Sequence, residues 1–101
     1  MDIWARPDLE QAESLDKNFY VYFFTPMCGA CQFASQLIEI IEQSDDWEQP
    51  LAKMDLNFVP EVAERLQITS VPALVFFENG KAKRISYDLG NISSIYDFFQ
   101  K

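Results

Sequence analysis

Hydrophobic positions fall into blocks whose spacing changes along the chain, and each change marks a new element. Residues 19–24, FYVYFF, form an unbroken aromatic and β-branched run, the pattern of a central strand covered on both faces. The run stops at Thr25-Pro26. From Gly29 onward, apolar Phe33, Ala34, Leu37, Ile38 and Ile41 recur at helical spacing, separated by Gln32, Ser35, Gln36, Glu39 and Glu42. Residues 51–56, LAKMDL, read as a short strand, after which Pro60 opens a helix that turns Val62, Ala63 and Leu66 inward. Residues 73–77 and 81–86 read as antiparallel strands joined by Asn79-Gly80, a pair suited to a tight primed turn. Asn91 is placed to cap a last helix in which Ile92, Ile95, Tyr96 and Phe99 form one apolar stripe. Upstream, residues 7–15 predict a short helix with acidic side chains in its first turn, leaving little sequence for a strand around Ile3.

This succession of strand, helix, strand, helix, hairpin and helix predicts an α/β fold, a central mixed β-sheet flanked by helices, with a short or absent first strand. Right-handed crossovers then bring the end of the 19–24 strand to the middle of the sheet edge where ligands gather. A chain of 101 residues, 49% of them hydrophobic, suffices for one domain spanning 1–101 with one continuous core. Neither a repeat nor a flexible linker interrupts it.

Charge narrows the partners. Sixteen acidic residues against eight basic ones give a formal net charge of -8, which repels phosphate backbones and anionic lipid surfaces. No nucleic-acid or membrane partner is therefore expected. The acidic stretch from Glu42 to Glu48 is expected to solvate the end of the long helix and the following loop. The first residues, MDIWARPDLEQAES, contain no apolar run, so neither a secretory signal nor a membrane span is read there and a cytoplasmic location is expected.

The candidate chemistry is a pair of cysteines, Cys28 and Cys31, at the junction of strand and helix. A reducing compartment does not maintain an ordinary structural bridge. A mononuclear zinc site usually needs four ligands, and with two cysteines and no histidine only dispersed carboxylates remain to complete a shell. Buried filler is the other ordinary use of cysteine, but two at this spacing and this location argue against it. Cysteines three residues apart across a helix start approach closely enough for a disulfide. The unpaired N–H groups and dipole of the helix stabilise a thiolate on Cys28 and lower its pKa. Cys28 is thus the expected attacking sulfur and Cys31 the resolving one. Gly29 leaves room beside the sulfur for an incoming disulfide, and Ala30 favours continuation of the helix.

Cys28-Gly29-Ala30-Cys31, Thr69-Ser70-Val71-Pro72 and the hairpin Phe76-Phe77-Glu78-Asn79-Gly80 together resemble the thioredoxin family, over roughly residues 9–99. The resemblance implies a thioredoxin-like fold and attack of the first cysteine on a disulfide, followed by resolution by the second. It also implies that the Val71-Pro72 bond is cis and lies against the cysteine pair, that the Val71 backbone pairs with extended substrate, and that Gly90 sits on the rim of the docking surface. Met27, Gly29, Ala30, Val71, Pro72 and Gly90 are then the substrate-contacting residues. Met27 stands where the family usually has tryptophan, Ala30 where it has proline between the cysteines, and Gln36 where a proline often kinks the long helix. Tyr22 replaces a buried aspartate whose neighbouring lysine corresponds to Lys53. Because Ala30 does not lock φ, a reduction potential above about -270 mV is expected.

The expected function is a thiol:disulfide oxidoreductase that reduces protein or small-molecule disulfides. As a monomer without a cofactor of its own, it would be regenerated by a separate flavin-dependent thioredoxin reductase, since the sequence holds no nucleotide-binding glycine pattern. Two alternatives stay open at this point: a glutathione-linked glutaredoxin-like enzyme, and a thioredoxin-like module whose disulfide switches partner binding.

Overall fold

The computed structural model describes residues 1–44 and 47–100. In chain order these form β1 (Asp2–Ile3), α1 (Arg6–Ser14), β2 (Phe19–Phe24), α2 (Gly29–Glu42), β3 (Leu51–Asp55), a 3₁₀ turn (Leu56–Phe58), α3 (Pro60–Leu66), β4 (Ala73–Glu78), β5 (Lys81–Ser86) and α4 (Ile92–Phe99). The strands make one mixed sheet in the order β1-β3-β2-β4-β5. Strand β2 lies at its centre, parallel to β3 with Tyr22 opposite Lys53, and antiparallel to β4 with Phe23 opposite Ala73. The first strand exists but holds only two residues, which pair in parallel with β3.

Alternation along β2 decides the layering, because successive side chains point to opposite faces. Phe19, Val21 and Phe23 join Leu9 and Ala12 of α1 and Val62 of α3 on one face. Tyr20 and Tyr22 join Ala34, Ile38 and Ile41 of α2 and Ile95 and Phe99 of α4 on the other. The continuous core expected from chain length is therefore divided by the sheet into two clusters. At the β4–β5 turn, Asn79 and Gly80 both take positive φ (53° and 80°), as a primed turn requires. A Cβ on Gly80 would fall 2.2 Å from the Glu13 carbonyl oxygen, so this glycine is also demanded by the approach of α1.

Several boundaries and faces differ from the sequence expectation. Helix α1 starts at Arg6 rather than Pro7, because the Asp8 carboxylate accepts the Ala5 N–H at 2.8 Å and caps the turn earlier, and it ends before Leu15, ahead of Asp16 in the left-handed region. Leu56 leaves the strand, since the Asp55 carboxylate accepts the Asn57 N–H at 2.9 Å and turns the chain into the 3₁₀ segment. Phe33 is 52% exposed: α2 buries the stripe Cys31, Ala34, Ile38 and Ile41, and Phe33 stands about 100° away from Ala34 around the helix. In α4 the buried stripe is Ile95 and Phe99, while Ile92 and Tyr96 remain largely exposed. Of the acidic stretch, Glu42 is part-buried and accepts the Met1 ammonium at 2.7 Å, Glu48 is exposed, and Asp45 and Asp46 lie outside the described residues. Among the described residues, no helix is long and apolar enough to cross a membrane.

Candidate active site

Strand β2 ends at Phe24, and four residues carry the chain from there to the helix. Cys28 is the N-cap of α2 in extended conformation (φ -131°, ψ 106°). Its sulfur accepts the Cys31 N–H at 3.1 Å, which meets one of the N–H groups that a helix start leaves without an intrahelical partner. Its carbonyl accepts the Gln32 N–H at 3.1 Å, opening the helical ladder. Cys28 and Cys31 are joined by a disulfide, with Cα atoms 5.1 Å apart, inside the usual span for such a bond. The two sulfurs are not equivalent. Cys28 is partly exposed, whereas Cys31 is 2% exposed and belongs to the buried stripe of α2.

The surroundings follow from the sheet. Met27 is almost wholly exposed, and Gly29 and Ala30 lie on the surface, with nothing within 4 Å of where a Gly29 Cβ would stand. The antiparallel register of β2 and β4 sets Ala73 opposite Phe23, so the half-buried Val71 and Pro72 lie at the sheet edge from which the cysteine loop departs. The Val71-Pro72 bond is cis. Strand β5 ends on the same edge, with Ser86 opposite Leu74, and exposed Gly90 follows four residues later with open space around it. One residue of this edge escaped the sequence reading: the Tyr87 hydroxyl accepts the Thr69 N–H at 3.1 Å and ties the segment before Pro72 to the end of β5. No local pattern signals a contact between residues 18 positions apart.

Behind Cys31 lies a cavity of about 320 Å³ whose walls include Tyr22, Phe24, Pro26, Ser35 and Lys53. The Tyr22 hydroxyl donates to the Cys31 carbonyl at 2.6 Å. Burial pushes the Tyr22 phenol well above its ordinary pKa, so it stays protonated as a donor. Tyr22 therefore occupies the place beside Cys31 as a neutral anchor, not as a base. Lys53 sits across from it on β3, its ammonium 6.0 Å from the centroid of the Phe24 ring, and makes no ion pair among the described residues.

Comparison with known proteins agrees with this geometry. The thioredoxin family model matches residues 8–101. The thioredoxin of Mycoplasmoides gallisepticum is 31% identical over 88 residues, covering 84% of this chain and 86% of that protein. The bifunctional thioredoxin reductase/thioredoxin of Mycobacterium leprae is 29% identical over 85 residues, which cover 83% of this chain and 19% of that longer protein. Among solved structures, Fasciola hepatica thioredoxin superposes with a TM-score of 0.82 at 25% identity, covering 99% of this chain and 97% of its own. A mixed sheet with a redox disulfide at the start of α2, and a family match over nearly the whole sequence, place this chain in the thioredoxin family, as a thiol–disulfide oxidoreductase whose active-site pair is Cys28 and Cys31.

Proposed function

We propose that this protein is a dithiol reductase of disulfides in polypeptides, with Cys28 as nucleophile and Cys31 as resolving thiol. The observation that carries the assignment is the asymmetry of the pair: Cys28 is accessible at a helix N-terminus, and Cys31 is 2% exposed. In the reduced protein the Cys28 thiolate attacks one sulfur of the substrate disulfide. That bond breaks, the far sulfur leaves as a thiolate, and Cys28 is left in a mixed disulfide. The Cys31 thiol loses its proton to solvent and attacks the Cys28 sulfur. The mixed disulfide breaks, the second substrate thiol is released, and the Cys28–Cys31 bond seen in the structure forms. Two electrons have passed to the substrate.

Helix α2 favours the Cys28 thiolate through its dipole and its free N–H groups, including the Cys31 N–H already directed at that sulfur. Met27, Gly29, Ala30, Val71, Pro72 and Gly90 form the docking edge in this reading, supported by the open space at Gly29 and by the register that brings Val71 and Pro72 to the end of β2. Two electrons from a separate flavin-dependent reductase return the pair to the dithiol. The fusion of a thioredoxin reductase with a thioredoxin in the Mycobacterium leprae relative supports that source. A monomer in a reducing cytoplasm fits this cycle.

Trapping tests the roles. Cys31→Ser accumulates a covalent substrate adduct detected by intact-mass spectrometry, and Cys28→Ser forms none; equal trapping by both variants overturns the assignment. Recycling by thioredoxin reductase and NADPH, against recycling by glutathione and glutathione reductase, distinguishes this reading from a glutathione-linked enzyme.

A further inference from the structure

Phe24 and Pro26 wall the cavity behind Cys31 and, with it, a second and larger cleft of about 610 Å³. The cleft lies at the end of the sheet where β1, β2 and β3 finish, on the β3 and β1 side of β2, whereas Val71 and Pro72 lie at the same end on its β4 side; the walls of the cleft include Ile3, Trp4, Phe58 and Val59. Two of these apolar side chains are left facing solvent, Ile3 at 75% and Phe58 at 77% exposure. Large apolar surface beside a reactive centre marks a binding face.

Charge identifies what the cleft would hold. Its one cation, Arg6, is paired with Glu61 and also donates to the Phe58 carbonyl at 3.3 Å. Its two carboxylates, Asp8 and Asp55, accept backbone N–H groups at the starts of α1 and the 3₁₀ turn, and neither has a cationic partner among the described residues. The cleft is thus apolar with an uncompensated negative rim, in a chain of net charge -8. A second copy of the same chain brings like charge to this face and is disfavoured.

Resting on the reductase reading above, we infer that this cleft is a substrate subsite that selects an apolar side chain next to a lysine or arginine, a few residues from the reacting cysteine of a protein disulfide. Pro26 is two residues from Cys28, within about 7 Å along the chain, so a substrate segment leaving the Cys28 sulfur meets the cleft almost at once. The apolar side chain covers Phe58 and Ile3, and its basic neighbour pairs with Asp8 or Asp55.

Peptides carrying one cysteine as a mixed disulfide with thionitrobenzoate, with Phe-Lys, Phe-Glu or Gly-Ser placed three residues away, test the subsite. Turnover is followed by release of the coloured thiolate, with dithiothreitol as reductant. The expected kcat/KM for Phe-Lys exceeds that for Gly-Ser by about ten-fold and exceeds that for Phe-Glu, the former gap shrinking toward one in Phe58→Ser and the latter in Asp8→Asn/Asp55→Asn. Binding of the serine version of the Phe-Lys peptide to the oxidised protein, read by amide NMR shifts at Ala5, Asp55 and Phe58, is expected independently of turnover. Equal turnover of all three peptides, shifts confined to the Val71–Gly90 edge, or self-association that buries Phe58 overturns the inference. Binding at Ala5, Asp55 and Phe58 without turnover of any disulfide overturns the reductase reading and leaves the subsite standing.

Discussion

The two faces of the sheet are built from alternate residues of the same strand, yet they differ in kind. On the α1/α3 face, Phe19, Val21 and Phe23 pack among apolar side chains, Met54 and the Trp4 ring included, with Phe19 stacked on Phe77 at 4.5 Å between ring centroids. On the α2/α4 face, Tyr20 and Tyr22 each bury a hydroxyl and each direct it at a helix: Tyr20 to the Phe99 carbonyl at 3.3 Å, Tyr22 to the Cys31 carbonyl at 2.6 Å. Burial is non-directional and holds layers together; a buried hydroxyl has a costly unpaired alternative and so fixes one helix position against the strand. The face that carries the cysteines uses both devices, and the opposite face, among the described residues, uses only the first.

The largest test of that contrast lies on the α1/α3 face. Phe77→Ala is expected to cost about 3–5 kcal/mol in urea unfolding while leaving the exchange rate of the folded fraction unchanged. A slower resolving step in the folded variant would break the comparison. Next comes Tyr22→Asp, which places a carboxyl in the buried position and is expected to cost about 3 kcal/mol at neutral pH. Burial raises the folded-state pKa of that carboxyl above its unfolded value near 3.9. Between those two values the native state binds more protons than the unfolded state, so the variant's stability falls as pH rises from about 4 through the raised pKa. Once ionised, the carboxylate accepts the Cys31 proton and speeds resolution near pH 7, with little change in the attack by Cys28; stopped-flow measurement of the two steps checks both halves.

The smallest effect is expected for Tyr22→Phe, about 1 kcal/mol for one hydrogen bond. Here the sign of the pH dependence sharpens the comparison. Burial raises the pKa of Tyr22 in the folded protein, whereas the unfolded phenol ionises near 10. Its contribution is complete below pH 10 and is lost as pH rises further, because the unfolded state releases its proton first. Tyr22→Phe should therefore flatten part of the alkaline loss of stability in urea titrations at pH 9–11, leaving the share due to Tyr20, whose pKa burial also raises.

Elements whose signals are local were legible in the sequence. FYVYFF, the Asn79-Gly80 turn, the Asn91 cap accepting the Ser94 N–H at 2.8 Å, and the change of period at Cys28 all depend on a few adjacent residues. Rotation of a helix about its axis was less legible: apolar Phe33, Ile92 and Tyr96 match helical spacing, but the sheet covers an arc too narrow to include them. Asp8 and Asp55 moved two boundaries because a side chain competed with the backbone for an N–H. The Tyr22–Cys31 and Tyr87–Thr69 bonds and the cleft under Phe58 unite separate stretches of chain, which only the assembled fold brings together.

Strand order has a consequence for the newly made polypeptide. Phe23 pairs with Ala73, 50 positions later, and Tyr22 with Lys53, 31 positions later, so the strand that delivers the cysteines has no lasting partner when it is first synthesised. At about 5–20 residues per second, several seconds separate the emergence of Cys31 from that of β4. During that interval both thiols are equally open to solvent, and neither the burial of Cys31 nor the tyrosine anchor yet distinguishes them. The difference in exposure between the two sulfurs is thus acquired late, when the second half of the chain closes over the first.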